Sequence, residues 1–126
     1  IQDYNKAIDI NPNDEKAYNN RGSAKDNLSK YNEAIQDYNK AIEINPNYVF
    51  AYFNRGVAKT HLSNYNEAIQ DFNKAIEINP NLAVSYINRG NAFYHLEEMG
   101  SACKDLIKAS ELGLKEADKL IEEHCK

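Results

Sequence analysis

One period governs this chain: residues 34 positions apart are the same or closely similar. Gly22, Gly56 and Gly90 keep that spacing, as do Ala34, Ala68 and Ala102, and Pro12, Pro46 and Pro80. The phrase "YNEAIQDYNKAIEINPN" (Tyr31 to Asn47) returns as "YNEAIQDFNKAIEINPN" (Tyr65 to Asn81), and its tail opens the chain as "IQDYNKAIDINPN". A unit this short cannot bury its own apolar face, so a tandem array with one continuous core is expected.

Within each unit the apolar spacing is helical twice over. Tyr18, Gly22, Ala24 and Leu28 mark one face of a first helix, and Tyr31, Ala34, Ile35, Tyr38, Ala41, Ile42 and Ile44 a broader face of a second. Ser29-Lys30 is short enough to join antiparallel helices. The "NPN" segments end each second helix, because proline pushes its predecessor out of the helical region.

Small Gly and Ala residues, an aromatic, an Ala and a Pro at these spacings resemble the tetratricopeptide repeat. The resemblance covers all but the last helix. It implies an all-α fold, a right-handed superhelical solenoid of antiparallel helix pairs closed by a C-terminal capping helix. Residues 1–126 then form a single array: a half repeat (1–14), full repeats (15–48 and 49–82), a divergent repeat (83–113) and the cap (114–126). In the divergent repeat Leu106 stands where Tyr38 and Phe72 stand, and Gly113-Leu114 replaces the Asn-Pro break. The opening half repeat is expected to be a piece of a longer array. Its Ile1, Tyr4 and Ile8 would be partly uncovered, an edge able to stack on a second molecule or on further repeats.

The family usually carries an apolar residue where this chain carries Arg21, Arg55 and Arg89. Arginine cannot shed its charge, so burial demands a carboxylate, which its fork can hold in bidentate fashion. Asp37, Asp71 and Asp105 recur in register on the second helices, and Asp3 in the half repeat. A ladder of structural Arg–Asp pairs is the leading expectation, with capture of an anionic ligand as the alternative.

The resemblance also implies function. First helices of such arrays line a concave groove for a peptide. Asn20, Asn54 and Asn88 recur there, and an amide can both donate to and accept from a peptide backbone. Lys16, Asn19, Ser23 and Asn27 make the first full repeat polar, whereas Phe50, Phe53, Val57, Val84 and Ile87 form an apolar cluster across the next two. His61, Asn91, Tyr94 and His95 complete the candidate site. The expected ligand is an apolar or amphipathic peptide, and the competing role is self-assembly through the exposed N-terminal edge with an idle groove. Family members that hold chaperone C-termini use a clamp of Lys, Asn and Arg. Only Asn54 fits that pattern here; Asn19 and Val84 stand for the lysines and Asn88 for the arginine, which disfavours that ligand.

No catalytic constellation and no cofactor or metal motif is present, so the chain is expected to be a scaffold and not an enzyme. His61 and His95 alone lack further metal ligands, and His124 is expected at a helix end. A formal net charge of −4 and a pI near 5.4 oppose binding to a phosphate backbone. No apolar run approaches membrane-spanning length. "NLS" (Asn27 to Ser29) matches a glycosylation acceptor, a pattern too common to carry weight. Cys103 and Cys125 would meet at one end of two helices folded back about Gly113-Leu114, either bridged or as two buried thiols. The compartment stays open with them: cytoplasmic by default, extracytoplasmic if they are bridged.

Overall fold

The computed structural model describes residues 1–125. Among them are eight helices and no strand: α1 (Gln2–Ile10), α2 (Glu15–Asn27), α3 (Tyr31–Ile44), α4 (Val49–His61), α5 (Tyr65–Ile78), α6 (Ala83–His95), α7 (Met99–Glu111) and α8 (Glu116–His124). Each helix packs on the next, and α2, α4 and α6 also touch one another across repeats. No comparable contact joins α3 to α5 or α5 to α7. The stack therefore curves with α2, α4 and α6 on its inner side, and α8 closes it by packing on α7. No helix of the described residues is long and apolar enough to cross a membrane.

Two kinds of punctuation set the helix ends. Between repeats, Asn11, Asn45 and Asn79 are extended, near φ −135°, and each precedes a proline. Their Oδ1 atoms accept from the backbone N–H two residues on, at 3.1–3.2 Å, forming Asx turns. Within repeats, Ser29, Ser63 and Glu97 take φ of 60–61°. The following N–H reaches back to the carbonyls of Lys25, Lys59 and Phe93 at 2.9 Å, the left-handed stop that glycine usually makes. Gly113, at φ 100°, does the same before α8.

The core is built from small residues and rings. Ala34, Ala41, Ala58, Ala68, Ala75, Ala92 and Ala109 are sealed, with Tyr38 and Phe72 sealed between them. A Cβ on Gly22 would lie 2.6 Å from the Tyr38 ring, and one on Gly56 2.7 Å from the Phe72 ring. Helices α2 and α4 can approach their partners only because these positions lack side chains.

Two expectations are corrected. Leu28 is exposed: it caps α2 and falls beyond the helical face to which its spacing assigned it. Ile8 is buried because it faces α2 and not the open edge, whereas Ile1 remains exposed.

Candidate peptide-binding groove and the ladder behind it

Each arginine joins three successive helices. Arg21 donates through Nε and Nη2 to Asp37 at 2.9 and 2.7 Å, and through Nη1 to Asn5 of the preceding repeat at 2.8 Å. Arg55 repeats this with Asp71 and Asn39, and Arg89 with Asp105 and Asn73. The guanidinium groups also lie 5.5–5.7 Å over the rings of Tyr18, Tyr52 and Tyr86. The aspartates are buried, and their hydrogen bonds hold the Arg21 and Arg89 guanidinium pKa above its usual value against the opposing effect of burial. Asp3 is exposed in α1.

The asparagine arm was not anticipated, although Asn5, Asn39 and Asn73 share the 34-residue spacing and precede each arginine by 16. A lysine was also overlooked. Lys25 and Lys59 reach Asp37 and Asp71 at 3.0 Å, whereas Phe93 occupies that position in the last repeat and lies beneath Arg89 at 5.9 Å. The ladder ends where Ile107 stands in the asparagine position.

On the inner face, Asn20 and Asn91 are exposed, and Asn54 and Asn88 are half-buried. Asn54 Nδ2 donates to Asn19 Oδ1 at 3.0 Å, and Asn88 Nδ2 to the Val84 carbonyl at 2.8 Å, so each spends one donor within the protein. Phe50 is 50% exposed and meets Tyr48 edge-on. Val57 and Val84 are half-buried, and Tyr94 is exposed. His61 and His95 are exposed and stack on Tyr31 and Tyr65 at 4.7 Å, each ring covering the start of the preceding repeat's second helix.

The five-residue apolar cluster does not exist as an exposed surface. Ile87 is only 7% exposed and belongs to the core with Tyr86, Leu106, Ala109 and Ala117. Phe53 leans on Phe72 with centroids 5.9 Å apart. Asn19, Phe53 and Ile87 are the same repeat position, and Asn19 too is buried. In the first and third of these repeats that position points between packed helices, whereas Phe53 is half-buried; the next residues, Asn20, Asn54 and Asn88, are exposed or half-buried on the inner face.

Beneath the first full repeat, the Tyr38 hydroxyl donates to Asp26 Oδ2 at 2.8 Å while Asp26 Oδ1 is buried and meets no donor among the described residues. Burial pushes the Asp26 carboxyl above its usual range, more than the Tyr38 bond lowers it, and raises the Tyr38 phenol as well. At the other end, Cys103 and Cys125 are bonded, with Cα atoms 5.7 Å apart, tying the end of α8 to α7. The described residues contain no group of three or more His, Cys, Asp or Glu side chains placed to hold a metal.

Antiparallel helix pairs repeated every 34 residues, with first helices inside a curve, define an all-α helical-repeat protein. The tetratricopeptide repeat family model matches residues 15–48 and 49–82, more than half of the chain, and the chain belongs to that family. A comparison with curated protein sequences finds no significant match. Solved structures similar to it include the first TPR of Spaghetti (RPAP3) bound to the HSP90 peptide SRMEEVD, at 26% identity and TM-score 0.84, covering 88% of this chain and 92% of that one. The TPR2B-domain:pHsp70 complex of yeast Sti1 shares 28% identity at TM-score 0.84, covering 88% and 95%. YrrB, described as a TPR protein with an unusual peptide-binding site, shares 27% identity at TM-score 0.83, covering 90% and 60%.

Proposed function

We propose that residues 1–126 act as one protein–protein interaction scaffold that holds an apolar or amphipathic peptide along the inner face of α2, α4 and α6, without catalysis. The carrying observation is the row Asn20, Asn54 and Asn88, flanked by the exposed rings of Phe50 and Tyr94. The amides suit a peptide backbone of any sequence, and the rings supply affinity. Covering the open half of one aromatic, roughly 75–125 Å², contributes about 2–3 kcal/mol. Preformed helices lower the ordering cost of binding. Structural kinship with proteins bound to HSP90 and Hsp70 ligands supports a peptide as ligand, without bearing on its apolar character. The chaperone tail itself is disfavoured, because the clamp-lysine position holds Asn19, buried and bonded to Asn54.

Selection from a random peptide library should yield binders with apolar residues at regular spacing. Phe50→Ala and Val57→Asp should each weaken them at least tenfold in titration calorimetry, while Ile107→Ser on the outer helix α7 leaves affinity unchanged. No enriched sequence, or affinity in both groove variants unchanged from the unsubstituted protein, would overturn the proposal. A mass rising with concentration in light scattering would favour the second reading, stacking through α1, where Ile1 and Ile10 are exposed.

A further inference from the structure

The last repeat differs from the others where a ring is missing. Tyr38 and Phe72 lay their rings against Gly22 and Gly56. At the equivalent point the chain has Leu106, and the nearest atom of that side chain to a Cβ on Gly90 is Cγ at 3.6 Å. Above Gly90 and Leu106 opens a cavity of about 320 Å³, walled by Tyr94 and His95 from α6 and by Leu120 and His124 from α8. It lies on the groove side, between the inner helix α6 and the cap. The wall is held in place: Ala117 is sealed against the core, and the residue after His124 is the bridged Cys125.

We infer that this cavity receives one aromatic side chain of the bound peptide, which supplies from outside the ring that the first two repeats supply from within. Size agrees, since a cavity of about 150 Å³ already holds a benzene and ligand pockets start near 300 Å³. Chemistry agrees as well. Its floor is the apolar side chain of Leu106, with Leu120 in the wall. Tyr94 and His124 have ring centroids 4.8 Å apart at a tilt of 57°, and Tyr94 meets His95 edge-on at 5.9 Å. A further ring seated over Leu106, beside this touching pair, gains edge-to-face contacts of the kind aromatic pairs prefer. An aliphatic side chain would fill the space without those contacts. The inference depends on the groove reading only for the source of the ring, not for the cavity's affinity for one.

The test separates the two. Nitrogen-labelled, oxidised 126-residue protein is titrated with p-cresol and, in parallel, with cyclohexanol, and amide shifts are followed. Saturable shifts confined to Gly90, Asn91, Leu120, His124 and their neighbours are expected for p-cresol, with cyclohexanol several-fold weaker. Leu106→Phe should abolish them, because the new ring takes the place that Phe72 takes over Gly56. His124→Trp, at an exposed site on the rim, provides the same block should Leu106→Phe fail to fold. Unsaturable or scattered shifts, or undiminished shifts in the blocked variant that folds, would overturn the inference. Replacing the aromatic of a selected peptide by alanine should cost at least tenfold with the unsubstituted protein and nothing with the blocked variant. Cresol binding without that loss overturns the peptide as the ring's source. Failure of cresol while selected peptides still bind overturns the cavity and leaves the groove reading standing.

Discussion

At the scale of single residues the chain repeatedly places charge between its packed helices, and the cost of disturbing that charge depends on how many partners remain. Asp37 and Asp71 each neutralise an arginine and a lysine, whereas Asp105 pairs with Arg89, whose guanidinium lies over the Phe93 ring that stands in the lysine's place. Asp71→Ala should therefore cost about 2–3 kcal/mol, and Asp105→Ala less, measured by urea unfolding; equal losses would count against the lysine's part. Asp26 gives the opposite sign. Its carboxyl binds a proton more tightly when folded, so its contribution is full below the ordinary carboxylate pKa and is lost as pH rises through the raised value. Asp26→Asn keeps an acceptor for Tyr38 and cannot ionise. It should match the parent near about pH 3 and exceed it in stability near about pH 7; parallel stability curves would refute this.

At the scale of helices, the C-terminal pair depends on its cross-link. The bridge closes 22 residues of sequence separation, which in the chain-entropy picture is worth about 3 kcal/mol. We expect unfolded, unreduced protein to show no free thiol. Reduction should raise amide exchange in α8 first, with little change in α3 to α5; uniform loosening would mean that the bridge supports the whole stack. Much of this level was legible in the sequence. The 34-residue period, the Asn-Pro stops and the arginine-to-aspartate spacing of 16 all report local or nearest-neighbour geometry. The groove was less legible. Residues 87 and 88 differ by one helical step, about 100°, and only the packing of neighbouring helices decides that Ile87 is buried and Asn88 half-buried. Apolar character pointed to Phe53 and Ile87 as ligand contacts, when Ile87 is apolar because it is core. The asparagine arm escaped notice because Asn39 and Asn73 are exposed residues on polar faces, with nothing local to mark their long-range bond to arginine.

At the scale of the molecule, stability should vary along the stack. Helix α1 packs on α2 alone, whereas α3 to α6 have neighbours on both sides. In such a quasi-one-dimensional array, protection follows the number of interfaces. Hydrogen exchange read by mass spectrometry should rank α3 to α6 slowest and α1 fastest. One all-or-none protection value across α1 to α7 would indicate that the ladder couples the repeats into a single unit.

That ladder also bears on how such a chain can change its length. Every arginine finds one partner 16 residues behind and another 16 ahead, so a duplication or excision of 34 residues re-forms each rung with an equivalent partner. An insertion out of phase leaves a guanidinium or a carboxylate unmatched in the packed interior and is penalised at once. Near-identical tandem segments such as 31–47 and 65–81 invite unequal exchange between copies of the coding sequence. The ionic register filters its products, passing whole units and rejecting fractions, and Ile107 marks the point at which the asparagine arm of the rung is lost.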